Sequence, residues 1–213
     1  MKLKINSRFI LWSIVLIFYT IFFCWYTNLK GPLSTEEIDY YVERLIENGS
    51  SPENIKNAKK FLIEDKGKDF YMLNMMDFSD SPPDLPATGS NASASDLMNH
   101  YMEYMFPELL SRACHPIFAG KMVFQALDLT GIENAELWDQ GAIMRYRSRR
   151  DMLEISVNPI FSNRHDYKIG ALDKTIAAPV EADIILVDFR FLLALILFSV
   201  ASLIDLALFR KRV

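Results

Sequence analysis

The chain begins and ends in apolar runs and changes period between them. From Phe9 to Asn28, FILWSIVLIFYTIFFCWYTN carries no charge. At ~1.5 Å rise per residue it reaches about 30 Å, the thickness of a bilayer's hydrocarbon core. Phe191 to Phe209, FLLALILFSVASLIDLALF, repeats the pattern with one acid, Asp205, near its end. The pattern predicts transmembrane helices over 9–28 and 191–209, with the lipid bilayer as a partner.

Between them, helical and strand periods alternate. Ser34 and Glu37 stand in capping-box spacing, and Ile38, Tyr41, Val42 and Leu45 form one helical stripe. Gly49 stops that helix. Ser51-Pro52-Glu53 starts a second, with Ile55, Ala58, Leu62 and Ile63 as its apolar side. Residues 29–68 thus read as a helical pair. FYMLNMMDF, Phe70 to Phe78, is short and nearly all apolar, as a buried strand is, and DSPPDLPATGSNASAS, Asp80 to Ser95, is an exposed loop.

Ser93 and Asp96 make another capping box before the amphipathic LMNHYMEYMFPELLSRAC, a long helix expected to be disturbed at Pro107, with Gly120 closing the unit. KMVFQALDL, Lys121 to Leu129, and GAIMRYRS, Gly141 to Ser148, read as paired strands around a turn-rich segment with Gly131, Asn134 and Asp139. Ser148 with Asp151 is a third capping box. The helix it starts is interrupted at Asn158-Pro159 and resumes over Ile160 to Ala171, before a last strand at Leu172 to Ala178 that Pro179 ends.

Strand, helix, strand, strand, helix, strand is the ferredoxin-like α+β plan, here over 69–180 and joined by a linker, 181–190, to the second span. Its antiparallel sheet carries both helices on one face. The other face needs a cover, and a second copy of the same sheet is the economical one, so a homodimer is expected.

Charge adds orientation. Lys2, Lys4 and Arg8 precede the first span, and Arg210, Lys211 and Arg212 follow the second. By the positive-inside rule, residues 1–8 and 210–213 are cytoplasmic and the central segment is extracytoplasmic, periplasmic across a bacterial inner membrane. A cleaved secretory signal fits less well, because the apolar run is too long and FFCWYTNLKG places large aromatics where small residues belong. Leaving out those six basic residues turns the formal charge of −4 into −10, which argues against a nucleic-acid partner. The two cysteines, Cys24 in the span and Cys114 outside it, form no disulfide framework or zinc cluster. Asp205 lies close enough to Arg210 to reach the interface and basic neighbours, so its expected role is structural. In a eukaryotic secretory membrane, Asn48 and Asn91 would be glycosylation acceptors.

The central residues also form a recognisable set. FYMLNMMDF, SASDLMNHYMEYMFPELLSRACHPIFAGKMV, ELWDQGAIMRYRSRRDMLEISVNPIF and RHDYKIGALDKT occur in that order. They resemble the dimeric α/β-barrel superfamily, and within it small uncharacterised relatives of the antibiotic-biosynthesis monooxygenases. The resemblance rests on Asn74, Tyr101 with Tyr104, Ala119-Gly120, Trp138-Asp139, Arg145-Tyr146 and Ser148-Arg149, over about residues 69 to 180. It implies a ferredoxin-like fold and a homodimer closing two sheets into a barrel. It leaves the chemistry open, since such folds host unrelated activities, and two membrane anchors depart from the usual small soluble member.

For chemistry, the three histidines offer little. His100 has Asp96 and Tyr104 at i−4 and i+4, so a paired-histidine metal motif is absent. Cys114-His115-Pro116 reads as packing at a helix end. The resemblance puts a histidine, here His165, near the end of the second helix facing a cleft, where its ordinary pKa of ~6.5 would suit proton transfer. Asn74, Tyr104, Trp138, Tyr146 and His165 are therefore the candidate lining of a pocket, with ordinary core packing as the competing reading for the aromatics. Arg145 and Arg147 alternate with Met144 and Tyr146, so they share a largely basic face and are expected to find Asp77 or Asp128 as partners or to meet a ligand. Arg149 and Arg150 fall in a helix's first turn, where the dipole disfavours them, and are expected in solvent. No metal or cofactor is implied.

Three functions compete. The domain could bind a small, partly apolar ligand, one version being a cofactor-independent oxidoreductase. It could be a non-catalytic dimerisation and interaction module, with the helical pair as a docking surface. It could be a component of a larger membrane protein complex.

Overall fold

The computed structural model describes residues 7–186 and 188–209. Lys2, Lys4, Arg210, Lys211 and Arg212, which carry most of the expected orientation, lie outside the described residues. The chain divides into two compact units, one made of its two ends and one spanning Lys30–Ala182.

The first unit pairs α1 (Ser7–Tyr26) with α7 (Phe189–Phe209). Both are long and apolar enough to cross a membrane, with mean hydropathies of 2.1 and 2.5. Only 6% and 11% of their apolar windows are buried, whereas a helix in a soluble core is buried over most of its surface. The two run antiparallel: Trp12 meets Phe198 with ring centroids 5.8 Å apart, and Tyr26 meets Phe189 at 6.2 Å. Arg8 reaches Asp205 at 2.5 Å, so this acid finds its partner on the other helix.

In the second unit, α2 (Thr35–Glu47) and α3 (Pro52–Ile63) begin at the caps read from sequence, Ser34 and Ser51. β1 (Phe70–Phe78), β2 (His115–Lys121), β3 (Gln140–Tyr146) and β4 (Leu172–Val180) form one antiparallel sheet in the order β2-β3-β1-β4. α4 (Ala94–Ser111), α5 (Arg149–Ser156) and α6 (Pro159–Gly170) complete the described elements. Alternation along β1 and β3 turns Phe70, Met72, Met144 and Tyr146 toward Leu97, Tyr101, Tyr104 and Met105 of α4, Ile155 of α5 and Tyr167 of α6, and these make the main core. Tyr41 and Leu62 of the helical pair pack on Leu153 of α5 and on Val157 in a second cluster, so the pair is built into the unit.

Four expectations need correction. β2 runs over 115–121, not 121–129: Ala113 takes a left-handed turn with φ 56, and the strand starts one residue after Cys114. Pairing ends where Lys121 faces Gln140, and Gly120 lies inside the strand opposite Gly141 rather than closing a unit. The apolar alternation of KMVFQALDL therefore belongs, after Lys121, to a segment that runs on past the end of the sheet. α4 runs unbroken through Pro107, whose ring lies on the exposed side, where the carbonyl freed by its missing N–H can meet water. Pro179 lies inside β4, an edge strand, where its lost donor costs little.

The sheet face away from the helices carries Leu73, Phe118, Ile143 and Ile176 in its middle. Gly120 and Gly141 leave this face flat: a Cβ at Gly120 would stand 3.1 Å from the Phe118 ring, and one at Gly141 would stand 3.3 Å from the Met122 methyl. Leu73, Phe118 and Ile176 remain exposed.

Candidate functional site

The arginine segment after β3 is built from its neighbours inward. Arg145 is buried, and its guanidinium donates to Asp69 at 3.0 and 3.1 Å and to the carbonyl of Ala113 at 2.9 Å. The register explains the choice of acid. Tyr71 lies opposite Arg145, which brings Asp69, just before β1, within reach. Asp77 sits at the far end of β1 and pairs with Lys174 at 3.4 Å, and Asp128 is exposed, so neither expected partner is used. Arg147 instead pairs with Asp151 one turn on, through a 2.9 Å bond from Nε and a second bond from the guanidinium. Ser148 accepts the Asp151 N–H at 3.0 Å as a cap, and its hydroxyl donates to the Asp151 carboxylate at 2.5 Å.

Arg149 and Arg150 are not in solvent; they are 8% and 5% exposed. Arg149 lies 4.2 Å above the Phe61 ring, donates to the Phe61 carbonyl, and has Asp65 and Glu181 at 3.7 and 3.6 Å. Arg150 donates to Glu37 at 2.6 and 2.9 Å and to the carbonyls of Gly31 and Pro32 at 3.4 and 3.3 Å. The Arg150 hydrogen bond holds the Glu37 carboxyl down to about 2. The helical pair thus returns over the first turn of α5 and supplies carboxylates that offset the unfavourable dipole. This site is a junction. It ties the stretch where the chain enters the unit (Gly31, Pro32) and the stretch where it leaves (Glu181) to the sheet.

The five candidate pocket residues are not brought together. Asn74 donates to the carbonyl of Met72 at 3.0 Å within its own strand. Tyr146 stacks on Phe70 at 5.2 Å, and Tyr104 reaches the Ile155 carbonyl at 3.4 Å; both belong to the core. Trp138 sits toward the other end of the sheet, where its indole donates to the Ala135 carbonyl at 2.9 Å and Lys174 lies 5.0 Å from its ring. His165 stacks on Phe161 at 5.0 Å and lies 6.3 Å from Tyr101. Burial lowers its pKa and Lys168 lowers it further, against an opposing pull from Asp166.

Sequence reading missed Lys168. Its ammonium lies 5.9 Å from the Tyr101 ring, burial lowers its pKa, and among the described residues it has no hydrogen bond or ion pair. The i, i+4, i+7 spacing of Phe161, His165 and Lys168 was the available signal. Cys114 is fully buried and its thiol is pushed up to about 12 by that burial, which makes it unreactive. Among the described residues no group of three metal-ligating side chains occurs. An open cleft of ≈ 770 Å³ lies elsewhere, between the end of β1 and the start of α4, lined by Phe78, Asp80, Ser93, Met98, Lys121 and Asp139 among others. It includes none of the candidate residues.

No family model and no curated protein matches the chain. Among solved structures it is similar to the RPA0582 protein of unknown function from Rhodopseudomonas palustris, with a TM-score of 0.51 at 16% identity, covering 63% of this chain and 95% of that one. The methylated form of RPA0582 aligns with a TM-score of 0.49 at 17% identity, covering 62% and 91%. At such identity the likeness to RPA0582 is one of fold alone.

Proposed function

We propose that this chain is a two-span membrane protein whose outer unit is a ferredoxin-like, non-catalytic dimerisation module of the dimeric α/β-barrel kind. Both termini are cytoplasmic and the unit is extracytoplasmic. The observation that carries the reading is the apolar sheet face around Leu73, Phe118, Ile143 and Ile176, left open opposite the helices. The charges at its two ends have partners, Arg145 with Asp69 and Lys174 with Asp77, so it presents an apolar centre rather than a charge to be matched. A second copy brings the same surface, and isologous pairing satisfies both faces at once. The strand order β2-β3-β1-β4 and the helices on one face support the topology. Tethering favours pairing further, because two anchored copies meet at raised effective concentration.

The test is energy transfer between copies labelled at their C-termini in lipid vesicles. The wild type should show transfer that falls with dilution in lipid, and Leu73→Lys with Ile176→Lys should abolish it. Unchanged transfer in that variant would refute the reading. A reporter after Val213 should behave as cytoplasmic and one inserted between Pro82 and Ala94 as exported; the reverse would overturn the orientation.

One observation favours a second reading, the binding of a small, partly apolar ligand. Tyr101, Phe161, His165 and Lys168 converge beside the α4 and α6 contact, with an amine that lacks an acidic partner among the described residues. An aromatic carboxylate should then raise the melting temperature of the wild type and leave that of Lys168→Met unmoved. Equal shifts in both, or none in either, would dismiss it.

A further inference from the structure

Beyond β2 the chain does not turn tightly into β3 but projects as an arm over residues 122–139. Its base is ordered. Met122 N–H donates to the Asp139 carbonyl at 2.8 Å, Ala126 N–H to the Glu136 carbonyl at 2.8 Å, and Asp139 N–H to the Met76 carbonyl at 2.9 Å. Lys174 of β4 donates to the Asn134 carbonyl at 2.7 Å, which carries the returning leg toward the opposite edge of the sheet. Held this way, the outgoing leg shows its apolar side chains to solvent: Val123 is 99%, Phe124 68% and Leu127 90% exposed. Apolar side chains on an ordered, projecting ribbon mark a contact surface, since each left in water forgoes about 1.5–3 kcal/mol of burial.

We infer that the arm is a clasp that closes over a second copy of this chain. The inference rests on the sheet-to-sheet pairing proposed above and adds to it. Four strands spaced ~4.8 Å, each about 25 Å long, give a flat face of roughly 500 Å², against the roughly 800 Å² per partner of an ordinary stable interface. The arm, continuous with that face through Phe118, Gly120 and Met122, supplies the shortfall.

Charge speaks against a lipid surface as the occupant: the arm carries Asp128, Glu133, Glu136 and Asp139 and no basic residue over 122–139, so anionic headgroups would repel it.

The test uses the full chain in lipid vesicles with the same energy-transfer readout. Val123→Ser, Phe124→Ser and Leu127→Ser together should weaken association about a hundredfold or more, the triple truncation acting twice in a symmetric pair. In detergent, diluted until copies are separate, the fold should keep its melting temperature, because these side chains are exposed in the unit. Ile63→Ser, an exposed apolar site on α3, is the control and should leave association unchanged. If Leu73→Lys with Ile176→Lys abolishes pairing while the arm variant pairs normally, the clasp is refuted and the sheet pairing stands. Normal pairing in both variants refutes both.

Discussion

The two ends of the sheet in the Lys30–Ala182 unit are built on opposite principles. At the end where the chain enters and leaves, Arg145, Arg147, Arg149 and Arg150 are each matched to carboxylates, and Asp69, Asp151, Asp65 and Glu37 come from different parts of the chain. At the far end an arm with exposed Val123, Phe124 and Leu127 stands beside an open cleft. Buried ion pairs add little net stability, but they penalise any arrangement that leaves one charge alone. The near end is therefore specified by polar matching, while the far end leaves apolar surface for a partner. The contrast separates what holds the unit's own ends to its sheet from what the unit can offer to another molecule.

The sharpest way to break that contrast is at Arg145. Arg145→Ala leaves Asp69 and the Ala113 carbonyl without a donor they now share, and should cost about 3 kcal/mol or more, read as a lower urea midpoint for the full chain in detergent. A variant as stable as wild type would mean that the near end is solvated rather than matched. Ser148→Ala is next. It removes the cap of α5 and a partner of Asp151 at a buried position, and should cost about 1–2 kcal/mol by the same measurement. At the far end, substitutions of comparable size in the arm should change the stability of separated copies by no more than about 0.5 kcal/mol and act on association.

These expectations also mark what the sequence could reveal. The caps at Ser34, Ser51, Ser93 and Ser148 gave the helix starts, because an N-cap is a local chemical event set by a few adjacent residues. β1 was equally legible as an apolar run bounded by polar ends. β2 was not: pairing is non-local, and the apolar alternation after Lys121 looks the same whether or not a strand lies alongside. The partners of the arginines were hidden for a related reason. Glu37 lies 113 positions from Arg150 in sequence, and only the return of the helical pair over α5 joins them. Arginines in a helix's first turn were the one clue, since an unfavourable dipole position calls for a compensating acid. Trp138 precedes β3 and Tyr146 ends it, so the strand's length holds these two aromatics apart.

The smallest effect, a dependence on acid, tests the near end most selectively. Arg150 holds the folded-state Glu37 carboxyl at about 2, below its unfolded value near 4.3. A carboxyl depressed by folding contributes stability that is fully present above the unfolded pKa and is lost as pH falls through the folded one. The contribution should therefore be complete above pH ~4.5 and gone near pH 2. Because the Glu37 side chain is 37% exposed, water screens the pair and the gain stays below about 1 kcal/mol. Glu37→Gln keeps an oxygen that can accept the Ser34 N–H, preserving the capping box, and removes the charge together with one of the two oxygens that accept from Arg150. The wild type should thus lose more stability than Glu37→Gln between pH 5 and pH 2.5. Parallel losses in the two proteins would mean that Arg150 does not rely on Glu37, and that the polar matching of the near end rests on the deeper pairs at Arg145 and Arg147.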